Sequence, residues 1–329
     1  MKIWYLWNRE AGGPENESYE CSRLIEEGRK RGHSVAIYSP AQFKFMVGNN
    51  DHQQIFIDSE PHELPDAIVC RMGSDTTYLA TAILRFMTRK GVTVINSPRS
   101  IERSMDKLLT MQKLAASNIA IPKTIFSKCP VDSKLVEQQI GFPVVVKTLK
   151  GTVGAGVYLS ETPDSLRDLT ELLVNQGVVD MSPVLFQEFI ATSRGRDIRV
   201  FVVGGKILAC MERKATDGGF KSNIGRGGVG TPILMTEAMK KISLDACEVL
   251  GLEIAGVDLL FAEDGLKICE VNSAPHFKGL ETYCNVNAAE SIYEYIEERV
   301  QQGRRLKKSA KGNVIQGFFG KWFRGSNAA

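Results

Sequence analysis

Two apolar strand runs near the end of the chain each carry a carboxylate among core-type residues, and this constrains the fold more than any other feature. The runs are Gly256-Val257-Asp258-Leu259-Leu260 and Ile268-Cys269-Glu270-Val271-Asn272, with Asp264-Gly265 between them. Such a pattern makes a hairpin. Whether its acids meet depends on register. A two-residue turn at Asp264-Gly265 pairs Glu263 with Leu266 and sends Asp258 and Glu270 to opposite faces. A three-residue loop, Glu263 to Gly265, pairs Ala262 with Leu266 and sets Asp258 opposite Glu270. That loop wants glycine at its last, left-handed position, where Gly265 stands, so the second register is expected. Asn272 then shares the face, because side chains along a strand alternate with a period of two. Facing carboxylates repel, and one must hold a proton unless a cation lies between them. Three hard oxygen donors without histidine or cysteine suit Mg2+. The bland alternative is a pair of buried carboxylates satisfied by arginines or backbone donors.

Upstream, strand and helix signals alternate. Strands are expected at Ile3–Trp7, Val35–Tyr38, Ala67–Arg71 and Val92–Ile95, with helices at Ser18–Lys30 and Thr77–Lys90 stopped by Gly32 and Gly91. This spacing implies right-handed βαβ units and a parallel sheet. The stretch from Asn49 to Pro65 lacks periodicity and reads as a loop. Beyond Ser104 the pattern changes to a long helix (Met105–Ala116), a strand after Pro122, strands at Val144–Leu149, Val157–Ser160 and Leu185–Ile190, and a helix at Ser165–Leu173. A hairpin follows from Asp197 to Arg213 around Gly204-Gly205, and helices at Thr236–Leu250 and Ala288–Val300 flank the carboxylate hairpin. With 329 residues there is room for two or three subdomains. The segment after Gly303 is basic and then aromatic, short and sparsely apolar; a flexible extension is the default expectation, with a lid or an oligomer or surface contact as the alternatives.

Composition excludes several classes. The net charge of +3 gives no general attraction to nucleic acid, which is not expected as a partner. No apolar run approaches a membrane span, so no membrane partner is expected. The opening Met1 to Trp7 is too short and aromatic for a signal peptide. Seven scattered cysteines, mostly in apolar runs, fit reduced core thiols and a cytoplasmic location.

The run Gly151-Thr152-Val153-Gly154-Ala155-Gly156 is neither a Walker A loop, which needs Lys-Ser/Thr after its last glycine, nor a Rossmann loop, which must open a helix. It joins two strands, where glycines let backbone amides close over phosphates. An ordinary glycine-rich hairpin is the alternative. Lys147 favours the phosphate reading. It ends the buried run Val144-Val145-Val146, where an ammonium is costly unless it meets an anion. Lys107 reads by itself as a solvated helix lysine.

Taken in order, Met105-Asp106-Lys107, Val146-Lys147 with its loop, Gln187-Glu188-Phe189-Ile190, Asp197-Ile198-Arg199, Phe220-Lys221-Ser222-Asn223, Gly256-Val257-Asp258 and Glu270-Val271-Asn272 resemble the motifs of RimK-type ATP-grasp ligases, from Met1 to about Val300. The resemblance implies a mixed α/β chain. A parallel-sheet pre-ATP-grasp domain (1–103) would be followed by two α+β subdomains (104–190 and 191–302) clasping nucleotide, and by a basic, aromatic tail (303–329). It implies ATP as cofactor. Lys107, Lys147 and the loop glycines Gly151, Gly154 and Gly156 would lie on its phosphates, and Glu188 and Phe189 at the adenine edge. Asp197, Lys221, Ser222 and Asn223 would also contact nucleotide. Asp258, Glu270 and Asn272 would hold two Mg2+ ions, or Mn2+, with Glu270 bridging. The implied reaction joins an amino acid, glutamate in the RimK branch, to a carboxylate acceptor, a small molecule or a protein C-terminus. Self-association is expected as well.

An acyl-phosphate route needs an arginine for its oxyanion. With Val203 paired to Lys206 across the Gly204-Gly205 turn, Asp197, Arg199 and Glu212 share one face, and Arg199 is the choice. Arg213 falls by parity on the apolar face of Ile198, Val200, Val202, Ile207, Ala209 and Met211, and ranks below it. Arg226, in a glycine-rich loop, is a candidate for a substrate carboxylate, with a solvated arginine as the equal alternative. Family members usually read Ala-Ser-Pro-Gly-Leu-Glu-Gly after the asparagine. Here Ser273-Ala274-Pro275-His276-Phe277-Lys278-Gly279 departs from this, which puts the acceptor in doubt; a lone histidine such as His276 is more often structural.

Overall fold

The computed structural model describes residues 1–8, 19–49, 54–149, 156–175 and 183–322, and only the backbone path at 226 and 308–322. Gly151 and Gly154 therefore lie outside the described residues.

The first layer is the parallel sheet expected. β1 (Lys2–Leu6), β2 (Ser34–Tyr38), β6 (Ala67–Cys70) and β7 (Thr93–Ile95) lie in the order β2-β1-β6-β7. β1 and β6 are almost wholly apolar because both of their faces are covered. On one side Ile3, Tyr5, Ala67 and Val69 pack against α1 (Tyr19–Lys30) through Leu24 and against α9 (Ala288–Trp322) through Tyr293 and Ile296. On the other side Trp4, Leu6 and Ile68 pack against α2 (Tyr78–Arg89) and against a small antiparallel sheet. That sheet, β3 (Phe43–Met46), β4 (Gln54–Ile57) and β5 (Glu60–Pro61), corrects the loop expected between Asn49 and Pro65. Its strands are too short to show a period. What fixes them is burial of Phe43, Ile55 and Ile57 against Trp4 and α2.

A second correction concerns the helix expected to begin at Met105. α3 (Pro98–Met105) comes first, capped by Ser97 with Pro98 at its first position. α4 (Lys107–Ala116) then starts afresh, and Asp106 caps it by accepting the Leu109 N–H at 2.9 Å. Two caps nine residues apart in an otherwise polar stretch mark the break.

The middle layer is an antiparallel sheet of order β10-β9-β11-β8, made of β8 (Thr124–Ser127), β9 (Val144–Thr148), β10 (Val157–Ser160) and β11 (Val184–Glu188). α5 (Ser133–Gln139) and α6 (Pro163–Asn175) cover one of its faces through Val136, Leu166 and Leu173. The last sheet, β14-β13-β12-β15-β16, consists of β12 (Arg196–Val203), β13 (Lys206–Lys214), β14 (Val229–Pro232), β15 (Ile254–Ala262) and β16 (Gly265–Asn272). α7 (Glu237–Leu250) packs on its apolar face. α8 (Lys278–Cys284) leads into α9, which was expected to close near Val300 and continues to Trp322.

One buried side chain joins the first layer to the last. Asn96 is 2% exposed. Its Nδ2 donates to the carbonyls of Ile254 (2.7 Å) and Ser273 (2.8 Å), and its Oδ1 accepts the N–H groups of Glu253 (2.7 Å) and Ile254 (2.9 Å). Those four bonds exhaust the amide's main capacity and hold both ends of the β15–β16 hairpin against the parallel sheet. Each contributes about 0.5–1.5 kcal/mol net, and the four backbone groups are left buried if the amide goes. Asn96→Ala is therefore expected to lower unfolding free energy by roughly 2–4 kcal/mol in urea denaturation; a change below about 0.5 kcal/mol would contradict the joint.

Candidate active site

The site is built by two hairpins, and each contains a bulge that decides which side chains meet. In β12–β13, Val203 pairs with Lys206 as expected, but the register slips between Phe201 and Val202. Val202 faces Ile207 while Phe201 faces Ala209, so Leu208 is the extra residue. Every pair beyond the bulge changes side. Arg213 thereby stands opposite Asp197, not in the core where parity would have put it. Glu212, expected beside Asp197 and Arg199, instead faces Ile198 and lies 3.0 Å from Arg196.

In β15–β16 the connection is the two-residue loop Glu263-Asp264, with Ala262 opposite Gly265. The three-residue loop expected is absent, yet its consequence is present. A shift between Asp258 and Leu259 leaves Cys269 as an extra residue and sets Asp258 opposite Glu270. Asn272 lies opposite Gly256, two residues along the same face. Gly256 is required by packing, since a Cβ there would stand 2.7 Å from the Pro275 Cβ.

β12 and β15 pair with Arg199 beside Asp258, and four charges interlock. Asp258 receives Arg199 through Nε and Nη2, the latter at 2.7 Å, and the Nη2 of Arg213 at 3.0 Å. Arg213 also grips Asp197 with two bonds of 2.7 and 2.5 Å. None of the four is more than 9% exposed. Burying unpaired ions costs several kcal/mol each, so the two arginines and two aspartates are tenable only together. Burial alone would raise the Asp258 carboxyl, but the charges and hydrogen bonds of Arg199 and Arg213 carry it below the usual carboxylate range. Burial opposes the Arg213 charge too, and the two aspartates outweigh it, so its pKa rises.

Around this network runs a cleft between the middle and last sheets. Lys107, Lys147, Glu188, Phe189, Asp197, Lys221, Ser222, Asn223, Asp258 and Glu270 all line it, as do Gln187, Arg213 and Cys269. Arg199 and Asn272 are not part of that lining. Gly156 sits just before β10 with φ +71°, and Arg226 falls in a short helical turn whose next residue is left-handed Gly227. Lys107 donates to the Leu149 carbonyl at 3.0 Å; burial, reinforced by nearby Lys147, pulls its pKa down against the pull of Glu270. Lys147 reaches the bulged Cys269 thiol at 3.6 Å. Glu188 accepts from the Lys123 N–H (3.0 Å) and from Lys267 (3.3 Å). Lys107 and Lys147 in one cleft with Asp258 and Glu270 suit a polyanion carrying a hard divalent ion. Among the described residues no three His, Cys, Asp or Glu side chains form a metal-binding group. On the hairpin Asp258 is satisfied by two arginines, the alternative weighed for it, while Glu270 stands on the cleft wall as an oxygen donor of the kind Mg2+ takes.

A family model described as the RimK-like ATP-grasp domain matches residues 104–296, and one described as the RimK PreATP-grasp domain matches 13–101. The chain belongs to the RimK-like ATP-grasp family. A relative in Aliivibrio fischeri named "Probable alpha-L-glutamate ligase" is 38% identical over 295 residues, 89% of this chain and 96% of its own length. The RimK domain protein ATP-grasp from Sphaerobacter thermophilus shares the fold with a TM-score of 0.69 at 20% identity, covering 90% of this chain and 99% of that one. So does the ATP-grasp ligase PsnB complexed with minimal precursor, with a TM-score of 0.69 at 20% identity over 90% and 98%.

In this RimK-like chain the departing segment after Asn272 is tied to the first layer. Phe277 is fully buried, and buried Glu20 accepts the N–H groups of Phe277 (3.0 Å) and Lys278 (3.1 Å). His276 Nδ1 lies 3.2 Å from the same carboxylate, and Arg71 donates to the Pro275 carbonyl at 2.7 Å. The histidine is thus a partner of Glu20. Burial would raise the Glu20 carboxyl, but His276 and the backbone donors bring it down to about 2.

Two expectations follow. The folded Glu20 pKa is depressed, so its contribution of about 3 kcal/mol is present above pH 4.5 and lost as pH falls toward 2. Glu20→Gln should flatten the acid limb of the stability curve in that window, read by thermal melts across pH; an unchanged limb would refute the assignment. Arg213→Met should lower stability by roughly 3–5 kcal/mol, because Asp197 loses its partner. A side chain that lay in the apolar core would give the opposite sign, since Met would relieve a buried charge.

Proposed function

We propose that this protein uses ATP to activate a carboxylate as an acyl phosphate and joins it to an amine, with glutamate as the added amino acid and ADP and phosphate released. The observation that carries the reading is the single cleft in which Lys107 and Lys147 face the Asp258–Glu270 pair, with Arg213 between them and Asp197. The names of the relatives support glutamate. The free cysteines and the lack, among the described residues, of any helix long and apolar enough to cross a membrane support work in the cytoplasm.

Within this reading 1–103 is the pre-ATP-grasp domain and 104–190 and 191–302 are the two halves of the clasp. Lys107 and Lys147 hold nucleotide phosphates, aided by the segment from Gly151 to Gly156. A lysine whose pKa is depressed by burial gains most from an arriving anion. Glu188 and Phe189 meet the adenine, and Asp197 with Lys221, Ser222 and Asn223 completes the nucleotide side. Asp258, Glu270 and Asn272 would hold two Mg2+ ions, or Mn2+, whose chemistry is to neutralise the phosphates and align them for in-line transfer. Arg199 and Arg213, held together by Asp258, donate to the oxyanion that forms when the amine attacks the acyl phosphate. Arg226 takes a substrate carboxylate. Phe220 to Asn223 line the cleft and would help keep water from the acyl phosphate. The acceptor carboxylate, of a small molecule or a protein C-terminus, enters near the Ser273–Gly279 segment, whose altered residues set its identity.

The test is ATP-dependent phosphate release with glutamate over a panel of carboxylic acids and peptides, with mass spectrometry of products. A product one glutamate residue heavier is expected. Asp258→Asn should cut turnover about 10²-fold or more. Phosphate release that is independent of any amine, or wild-type turnover in that variant, would overturn the reading.

A further inference from the structure

The last sheet is open along part of one strand. β14 pairs with β13 only from Met211 to Lys214 and ends at Pro232. Among the described residues, Lys206 to Cys210 are paired on the β12 side alone. The Gly204-Gly205 turn, with φ of +59° and +72°, closes on the bonded pair Val203–Lys206. The N–H and C=O of Ile207 therefore point away from β12. The Cys210 carbonyl points the same way and accepts the Ile233 N–H at 3.4 Å, where the chain turns off toward α7. An edge of this kind is a template for another strand.

A groove of about 540 Å3 follows the open edge, lined by every residue from Gly205 to Cys210. Partly buried apolar side chains reach it from both faces of the sheet. Ile207, Ile233, Met235 and Leu244 belong to the core under α7, and Leu208 and Cys284 to the core that holds α8. An extended chain laid here would continue the line of β14, bond to the edge of β13 and cover both sets. At about 3.4 Å per residue the edge from Lys206 to Cys210 is about 14 Å long, so the slot takes a short segment.

Charge selects the guest. Of the described residues, those lining the groove include Lys206 and Lys240 and no acid. Lys206 is exposed, and the contact of Lys240 with Glu237 is long, at 3.9 Å, between exposed side chains. A second copy of the chain paired edge to edge would gather the lysines of both copies at one seam, which disfavours it. A segment carrying acids is drawn in instead.

We propose that the open edge of β13 takes up, as an added strand, a short extended segment of a protein partner, apolar in its middle and flanked by acidic residues. This inference is independent of the reading of the cleft.

Fluorescence anisotropy with the full chain tests it, using a fluorescein-labelled peptide of about four valines between glutamate pairs and its counterpart with lysine for glutamate. The acidic peptide is expected to bind, more weakly as salt rises, and the basic one at least about tenfold more weakly. The bound acidic peptide should slow hydrogen exchange of the amides between 206 and 210. Lys206→Glu/Lys240→Glu should reverse the preference, with the same melting temperature and the same ATP-dependent phosphate release. No binding of the acidic peptide, equal binding of the two, or binding without protection at 206–210 would overturn the proposal. So would a dimer in sedimentation velocity whose formation protects those same amides, since the edge would then belong to a second copy.

Discussion

Everything in the cleft depends on how Asp258 is neutralised. A carboxylate 4% exposed in the middle of an apolar sheet cannot stay ionised without partners, and two arginines from two neighbouring strands provide them. Those arginines need Asp197 in turn, because Arg213 is buried as deeply as Asp258. Three strands are therefore locked in one register by electrostatics as well as by their backbone ladders. A slip of one residue would strand a buried charge on the wrong face. In the function proposed above, the same arrangement would serve chemistry by keeping guanidinium donors and carboxylate oxygens preorganised in a low-dielectric wall.

Much of this was legible from residue order. The alternation of strand and helix in the first hundred residues gave the parallel sheet, and the buried-strand lysine and carboxylates pointed to the cleft. Backbone irregularity was not legible. Strand parity is a counting argument, and a bulge adds one to the count without leaving a sequence mark of its own. At Leu208 the miscount moved Arg213 out of the site. At Cys269 a wrong loop length reached the right facing of Asp258 and Glu270, since a bulge and a longer loop add the same single residue. A different question would have rescued Arg213: an arginine flanked by core strands must find a carboxylate, and Asp197 is the acid that its strand's partner offers. The small sheet through Ile55 and Ile57 was missed for another reason, because its strands exist only by virtue of what they cover.

The layers are also coupled. Asn96 anchors the carboxylate hairpin at its ends, while Glu20 and Arg71 hold the segment that leaves it. The parallel sheet thus acts as a rigid back for the site, and the Pro275 to Lys278 segment touches that back.

The coupling between Arg213 and Asp258 tests this account most directly. A double-mutant cycle of Arg213→Met and Asp258→Asn, read by urea denaturation, should show the two changes to be non-additive by about 1–3 kcal/mol. Additivity within about 0.5 kcal/mol would mean that the two side chains do not share a face, and the bulged register would be wrong.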